Sequence, residues 1–369
     1  LYREIVILAA TLGLILACAE FFTNGVEWLG RRLRLPESAV GSVLAAVGTA
    51  LPETLIPFVA ILLVGGSEGR HVGVGAILGA PFMLATLAFF VTGAADLYFH
   101  LRRRTRPGLT VDRRLLRRDL GHFLVLYSLA LGAAFVHIYP LRVAISLLLL
   151  VGYLVYLRAT FRSGGELGGE QAPLHLYSLW ALLSVSRRRG ENEEELRSRR
   201  QQRRERPPRG RFILLQVGLA LGGIIAGAFL FTRGVTSVAH TLGVSALTVS
   251  LILAPIATEL PEKFNSVVWV RQGKDTLALG NITGAMVFQS TFPVSLGILA
   301  TEWDLTSHAA HGAAPLVTAI IALFSAALVI LLSRRGSDDP ANTTSLSPWV
   351  LAAGLPLYLV FVLYLRLSP

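Results

Sequence analysis

An all-α membrane protein of about ten transmembrane helices, built as two inverted five-helix repeats, is what the sequence predicts, on three observations. Hydrophobic residues make up 53% of the 369 and charged residues 15%, with a mean hydropathy of +0.60. That is far more apolar than a soluble domain of this size. Apolar stretches near the ~20 residues that cross a bilayer recur along the whole chain. Finally, one motif, Thr-x-x-Pro-Glu, occurs twice, at Thr49–Glu53 and at Thr258–Glu262, each time inside an apolar stretch.

In order, the spans fall at 4–22, 38–64, 72–95, 120–138 and 141–161, then at 212–232, 243–270, 276–299, 313–333 and 348–366. The first holds Glu20 and runs into Arg31-Arg32 instead of a small-residue cleavage site, so it reads as retained rather than as a signal peptide. Residues 1–161 form the first repeat, 162–211 a linker and 212–369 the second repeat. An odd number of spans per half inverts the second half, as in many secondary transporters. The motif lies in the second span of each half. The third spans match as well, Gly75-Ala76-Ile77-Leu78-Gly79-Ala80 against Gly280-Asn281-Ile282-Thr283-Gly284-Ala285.

A net charge of +11 would suit a nucleic-acid partner, but the placement of the basic residues argues for topology instead. Alternate loops carry Arg31, Arg32 and Arg34, then Arg102 to Arg118, Arg162 to Arg211, Arg271 with Lys274, and Arg334 with Arg335. The intervening loops offer little beyond Arg70, Arg142 and Arg233. The positive-inside rule makes the rich set cytoplasmic and puts both termini outside a cell membrane. The partners implied are the lipid bilayer and small ions, with no nucleic acid; the oligomeric state is left open. The one cysteine, Cys18, excludes an internal disulfide and a cysteine-based metal cluster.

The linker begins flexibly at Ser163 to Gly169. Leu176, Leu179, Trp180 and Leu183 then fall at helical spacing, either as a stripe lying on the inner membrane surface with Arg187, Arg188 and Arg189 at the headgroups or as part of a weakly ordered loop. Glu191 to Arg206 mixes charges as a solvated helix or disordered linker does. No calcium-binding loop pattern occurs in it.

A carboxylate in mid-membrane costs about 2.5–3.5 kcal/mol to insert, which makes Glu53 and Glu262 functional candidates. Each follows a proline. Pro52 has no N–H for the Gly48 carbonyl, nor Pro261 for that of Ala257, so both backbone oxygens are released toward a cation. Thr49 with Glu53, and Thr258 with Glu262, share a helix face at i and i+4. Hydroxyl, carboxylate and loosened carbonyl together make a hard-cation ligand set. Pro52 and Pro261 alone would be common membrane-helix kinks; the glutamate after each adds the chemistry.

On these residues the chain resembles the calcium/cation antiporter family, the sodium/calcium exchanger superfamily. The likeness spans both halves and rests on the paired Thr-x-x-Pro-Glu blocks, which in the family read Gly-Thr/Ser-Ser-x-Pro-Glu, followed by a second block Gly-Asn-x-x-Gly-Ser-Asn. The resemblance implies a ten-helix antiporter in which Glu53 and Glu262 coordinate the transported cation, with oxygens from Thr49 and Thr258. It implies no organic cofactor. The second blocks depart from the pattern: Asn281 matches, but Ala76 stands at its counterpart, and Gly79-Ala80-Pro81 and Gly284-Ala285-Met286 replace Gly-Ser-Asn. Where the family often carries Asn or Asp as a further ligand stand Leu84 and Gln289, of which only Gln289 has a side chain able to coordinate. Glu259 replaces a small hydroxyl residue.

The consequence is a site with two or three carboxylates and fewer neutral oxygens than the 6–8 that Ca²⁺ takes. Three close acids favour exchange of a proton for a metal. The reading is therefore exchange of Ca²⁺ or another cation for Na⁺ or H⁺ by alternating access. The alternatives are a sodium/proton exchanger of the same fold and a non-transporting scaffold. An intramembrane enzyme built on Glu53, Glu259 and Glu262 would lack the usual His or Asp partners. The absence of His-Glu-x-x-His, Gly-x-Ser-x-Gly and a P-loop removes metalloprotease, serine-hydrolase and ATP-driven readings.

Several residues have a simpler reading beside the functional one. Gly75 with Gly79, and Gly280 with Gly284, are small-x-x-x-small pairs suited to close helix packing. Asn281 either binds the cation or bridges helices. Glu20, Asn24 and Glu27 are expected at the interface, and His71, His240, His308 and His311 in or near outer loops. Lys263 either neutralises a neighbour or faces water.

Overall fold

The computed structural model describes residues 2–33, 53–103, 108–162, 209–305, 313–333 and 343–367, with Leu174 and Leu176. Gly48, Thr49, Pro52, most of the linker including Leu179, Trp180 and Leu183 of its apolar stripe and its arginines, His308, His311, Arg334 and Arg335 lie outside the described residues. The described residues are helical almost throughout: α1 (Tyr2–Arg32), α2 (Glu53–Val64), α3 (Gly66–Met83), α4 (Phe89–Arg103), α5 (Arg113–Gly132) and α6 (Tyr139–Arg162) in the first half. The second half holds α7 (Gly210–Leu242), α8 (Ala246–Thr258), α9 (Leu260–Arg271), α10 (Asp275–Gln289), α11 (Phe292–Ala300), α12 (Ala314–Ser333), α13 (Pro348–Ala352) and α14 (Gly354–Leu367).

Among the described residues, seven of the ten expected spans appear as helices long and apolar enough to cross a membrane. Three expected spans fall short for identifiable reasons. The start of α2 lies outside the described residues; α8 and α9 are two pieces of one span; and α5 opens on Arg113, Arg114, Arg117 and Arg118. Helices also overrun the apolar stretches. The helix at α1 continues ten residues past the expected end at 22, to Arg32, and α3 starts at Gly66, so Arg70 and His71 are helical, not loop. Arg233 likewise sits inside α7, over the Phe229 ring.

The equivalent first helices of the two halves run antiparallel, as inversion requires. Glu4 near the start of α1 accepts hydrogens from Ser237 and Thr241 near the end of α7, at 2.9 and 3.0 Å. At the other end, Gln216 of α7 donates to the Phe21 carbonyl at 2.8 Å and to Asn24 Oδ1 at 3.0 Å. Asn24 is therefore buried in a helix seam, not placed at the interface; the extension of α1 carries it there. Leu176 N donates to the same Gln216, at 2.8 Å.

A two-stranded antiparallel ribbon, unforeseen in the sequence, pairs β1 (Leu109–Asp112) with β2 (Thr343–Leu346), Leu109 opposite Leu346. Asp275 Oδ2 accepts the Thr110 N–H at 2.9 Å and Thr276 Oγ1 that of Asp112 at 3.1 Å. Three loops assigned to one side by their charges are thereby tied together in space. The core divides into two apolar clusters, one around α1, α2, α7 and α8 and a larger one through α3–α6 and α10–α14. Helix α3 contributes to both and packs across the halves onto α8. Gly75 and Gly79 make that crossing possible, because an added Cβ would run into the backbone of Leu247 and Leu251.

Candidate cation site

Two helix irregularities set the site. The first is at Glu259, where α8 ends and α9 begins: Glu259 takes φ −94°, ψ 7° and caps α9, and Pro261 supplies no hydrogen to the turn before it. Glu262 consequently lies in the first turn of α9, where helix N-terminal amides favour a negative charge. The second is in the first half, where Glu53 opens the described part of α2, a helix that widens to π geometry over Val59–Val64. Such widened turns recur at functional sites.

Glu53 and Glu262 meet. Their side chains are buried, at 7% and 4% exposure, and their carboxyl groups are in hydrogen-bonding contact with each other. Glu53 Oε1 and Glu262 Oε2 have no hydrogen-bond partner among the described residues. Two carboxyls in contact repel when both are ionised, and a proton or a cation between them removes that repulsion. Beside Glu53 is a cavity of ≈ 10 Å³ lined by Glu53, Ile56, Ala76, Ala80, Ala254, Pro255 and Thr258, room for about one water. Only Glu53 and Thr258 give that lining polar side chains.

The other candidates divide. Thr258 is at the cavity, its hydroxyl donating to the Ala254 carbonyl at 3.1 Å, which leaves the oxygen lone pairs for a ligand. Asn281 donates to the Glu262 carbonyl at 3.3 Å, so it bridges α10 to α9. Glu259 is fully buried; Lys263 forms an ion pair with it, Nζ 3.6 Å from Oε2, while neither Glu259 oxygen has a hydrogen-bond partner among the described residues. Gln289, buried at the end of α10, lies beside the Glu259 carboxylate. Among the described residues no three His, Cys, Asp or Glu side chains are grouped to hold one metal ion. The pair Glu53–Glu262 stands together, and Glu259 is turned to its own lysine.

Sequence reasoning missed a second polar cluster behind α10. Asp119 of α5, 1% exposed, accepts the Thr283 hydroxyl at 2.8 Å and the Arg118 Nε hydrogen at 3.0 Å. The Arg118 guanidinium lies over the Tyr156 ring, 5.5 Å from its centroid. Asp119 escaped notice because it follows an arginine-rich loop and reads as loop charge. Asp96, also fully buried, pairs with His100 at 2.7 Å at the end of α4; its i, i+4 spacing was the available signal.

The family model described as sodium/calcium exchanger protein matches residues 3–162 and 212–367. The inner membrane protein YrbG of Escherichia coli (strain K12) is 27% identical over 295 residues, covering 79% of this chain and 78% of its own length. Among solved structures, the H⁺/Ca²⁺ exchanger CAX overlays with a TM-score of 0.67 at 15% identity, covering 99% of this chain and 82% of the other. The sodium-calcium exchanger NCX_Mj gives 0.51 at 18% identity, with 97% of each chain covered. The chain belongs to the sodium/calcium exchanger family, a family of multi-pass membrane transporters of inorganic cations, and the overlays support the fold.

Proposed function

We propose that this protein is a secondary-active cation antiporter that exchanges Ca²⁺ or another cation for Na⁺ or H⁺ by alternating access, with Glu53 and Glu262 as the cation ligands. One observation carries the reading: two glutamates from opposite halves meet inside an apolar bundle, each with an oxygen unpartnered. Thr258 and the Ala257 carbonyl add neutral oxygens, and Thr49 with the Gly48 carbonyl would do so from the first half. Asn281 holds the Glu262 backbone carbonyl, and Gln289 stands beside the Glu259 carboxylate. In the cell membrane the loops tied together by β1, β2 and Asp275 face the cytoplasm, which puts both termini outside.

The alanines Ala76 and Ala80 on the cavity wall favour cations that ask for few neutral ligands. Sodium/proton exchange is therefore the second reading. Uptake of radioactive calcium into liposomes carrying the purified protein, driven in parallel by an outward sodium gradient and by a pH gradient, separates the two. Uptake that disappears in Glu53→Gln/Glu262→Gln supports the site and names the coupling ion. Wild-type liposomes that carry sodium against protons but no calcium would select the second reading, and liposomes that carry neither would leave a scaffold.

A further inference from the structure

Residues 259 and 263 occupy the places that Ala50 and Thr54 hold in the first repeat. The second repeat thus gains an acid and a base together, one helical turn apart. Lys263 N donates to the Glu259 carbonyl at 3.2 Å, so the turn between them is helical although the span breaks at Glu259. At i, i+4 both side chains share a face, and the ammonium reaches back to 3.6 Å from Glu259 Oε2, with the side chains 11% and 0% exposed. A lysine beside Glu262 and free to face water would point away; this one is turned inward.

We infer that Lys263 is a resident countercharge: its ammonium, within ion-pair distance of the Glu259 carboxylate, balances that charge against the transported cation and leaves the site the charge of the Glu53–Glu262 pair alone. The inference rests on the reading of that pair as the cation ligands. A site of two negative charges is matched by one divalent cation or two monovalent ones. A third carboxylate without its lysine would add a place for one more monovalent cation. Lys263 is then a specificity-determining residue, and Glu259 is a structural partner to it, not a ligand.

The pair makes a prediction that a ligand role for Glu259 cannot share. A buried ion pair is costly to break by removing one partner and far less so by removing both. Initial rates of calcium uptake, with sodium as competitor, are measured for the full chain in liposomes. Glu259→Gln leaves an uncompensated ammonium beside the site and raises half-saturating calcium about tenfold, while Lys263→Met strengthens sodium inhibition about tenfold. The double variant Glu259→Gln/Lys263→Met returns both to within about twofold of wild type, and Lys263→Arg stays close to it. A double variant as impaired as Glu259→Gln makes Glu259 a ligand and overturns the inference. Unfolding temperatures in detergent repeat the cycle without transport: both single variants fall and the double recovers, or the pairing is wrong. That readout judges Lys263 even if the liposomes carry no cation, an outcome that would count against the transport reading alone.

Discussion

The two copies of Gly-x-Ile-x-Gly-Ala sit against different kinds of neighbour. In the first half, Gly75 and Gly79 press on the backbone of α8, with Leu251 N 3.0 Å from where a Gly75 Cβ would stand and Pro255 Cγ 2.7 Å from that of Gly79. In the second half, Gly280 and Gly284 meet only side-chain ends, Leu115 at 3.4 Å and the Tyr156 hydroxyl at 3.3 Å. Polarity runs the other way: Asn281, Gln289, Glu259 and Lys263 stand where the first half has Ala76, Leu84, Ala50 and Thr54. The first half supplies close packing and the second most of the polar groups. A repeat motif read from sequence therefore reports related geometry, and only the neighbours decide which residue type is obligatory.

The glutamates are where the halves stay alike, so they give the largest expected effect. Glu53→Gln and Glu262→Gln should each lower cation uptake by more than about a hundredfold, close to 3 kcal/mol of lost binding. The two losses should be of similar size. One variant retaining most of the wild-type rate would mean that the halves differ at the ligands too, and that the carboxyl contact is incidental.

Packing gives the next largest effect. In Gly79→Val the added carbons meet Leu251 backbone, which cannot rotate away, and overpacking of this sort costs 1–3 kcal/mol or more, here ~3. Folded yield and unfolding temperature in detergent should both fall. Asp119→Asn should follow, at about 1–2 kcal/mol: it removes the carboxylate charge that accepts the Arg118 Nε hydrogen, but Arg118 is 17% exposed and water takes up part of the loss. Because Asp119 also holds Thr283 of α10, the unfolding temperature and the uptake rate should fall together.

The legible part of this molecule was whatever depends on solvent preference and on repetition. Apolar stretches placed the helices, and the duplicated motif pointed to Glu53 and Glu262, which the fold brings together. Boundaries were less legible, because helices such as α1 continue into polar sequence where a partner helix, through Gln216 and Asn24, satisfies them. The direction of a side chain was least legible. The i, i+4 spacing of Glu259 and Lys263 permits their pairing, but it does not choose between Glu259 and water; the helix break at Glu259 and the burial of its carboxylate decide it. Asp119 was hidden for a related reason, since a carboxylate among arginines looks solvated until the fold brings Thr283 to it.

The smallest effect is the most direct test of the contrast between the glycine pairs. In Gly284→Ala the new methyl approaches the Tyr156 hydroxyl, the far end of a side chain that can give by a few tenths of an ångström. Alanine in a helix is favoured over glycine by roughly 0.5–1 kcal/mol. The two terms nearly offset, so the unfolding temperature should stay within the shift that about 0.5 kcal/mol produces, and uptake should be unchanged. The same substitution at Gly79 meets backbone and the Pro255 ring, and there the helix preference cannot compensate. If both alanine variants behaved alike, the packing between α3 and α8 would be looser than the distances state, and the glycines of the two halves would be interchangeable after all.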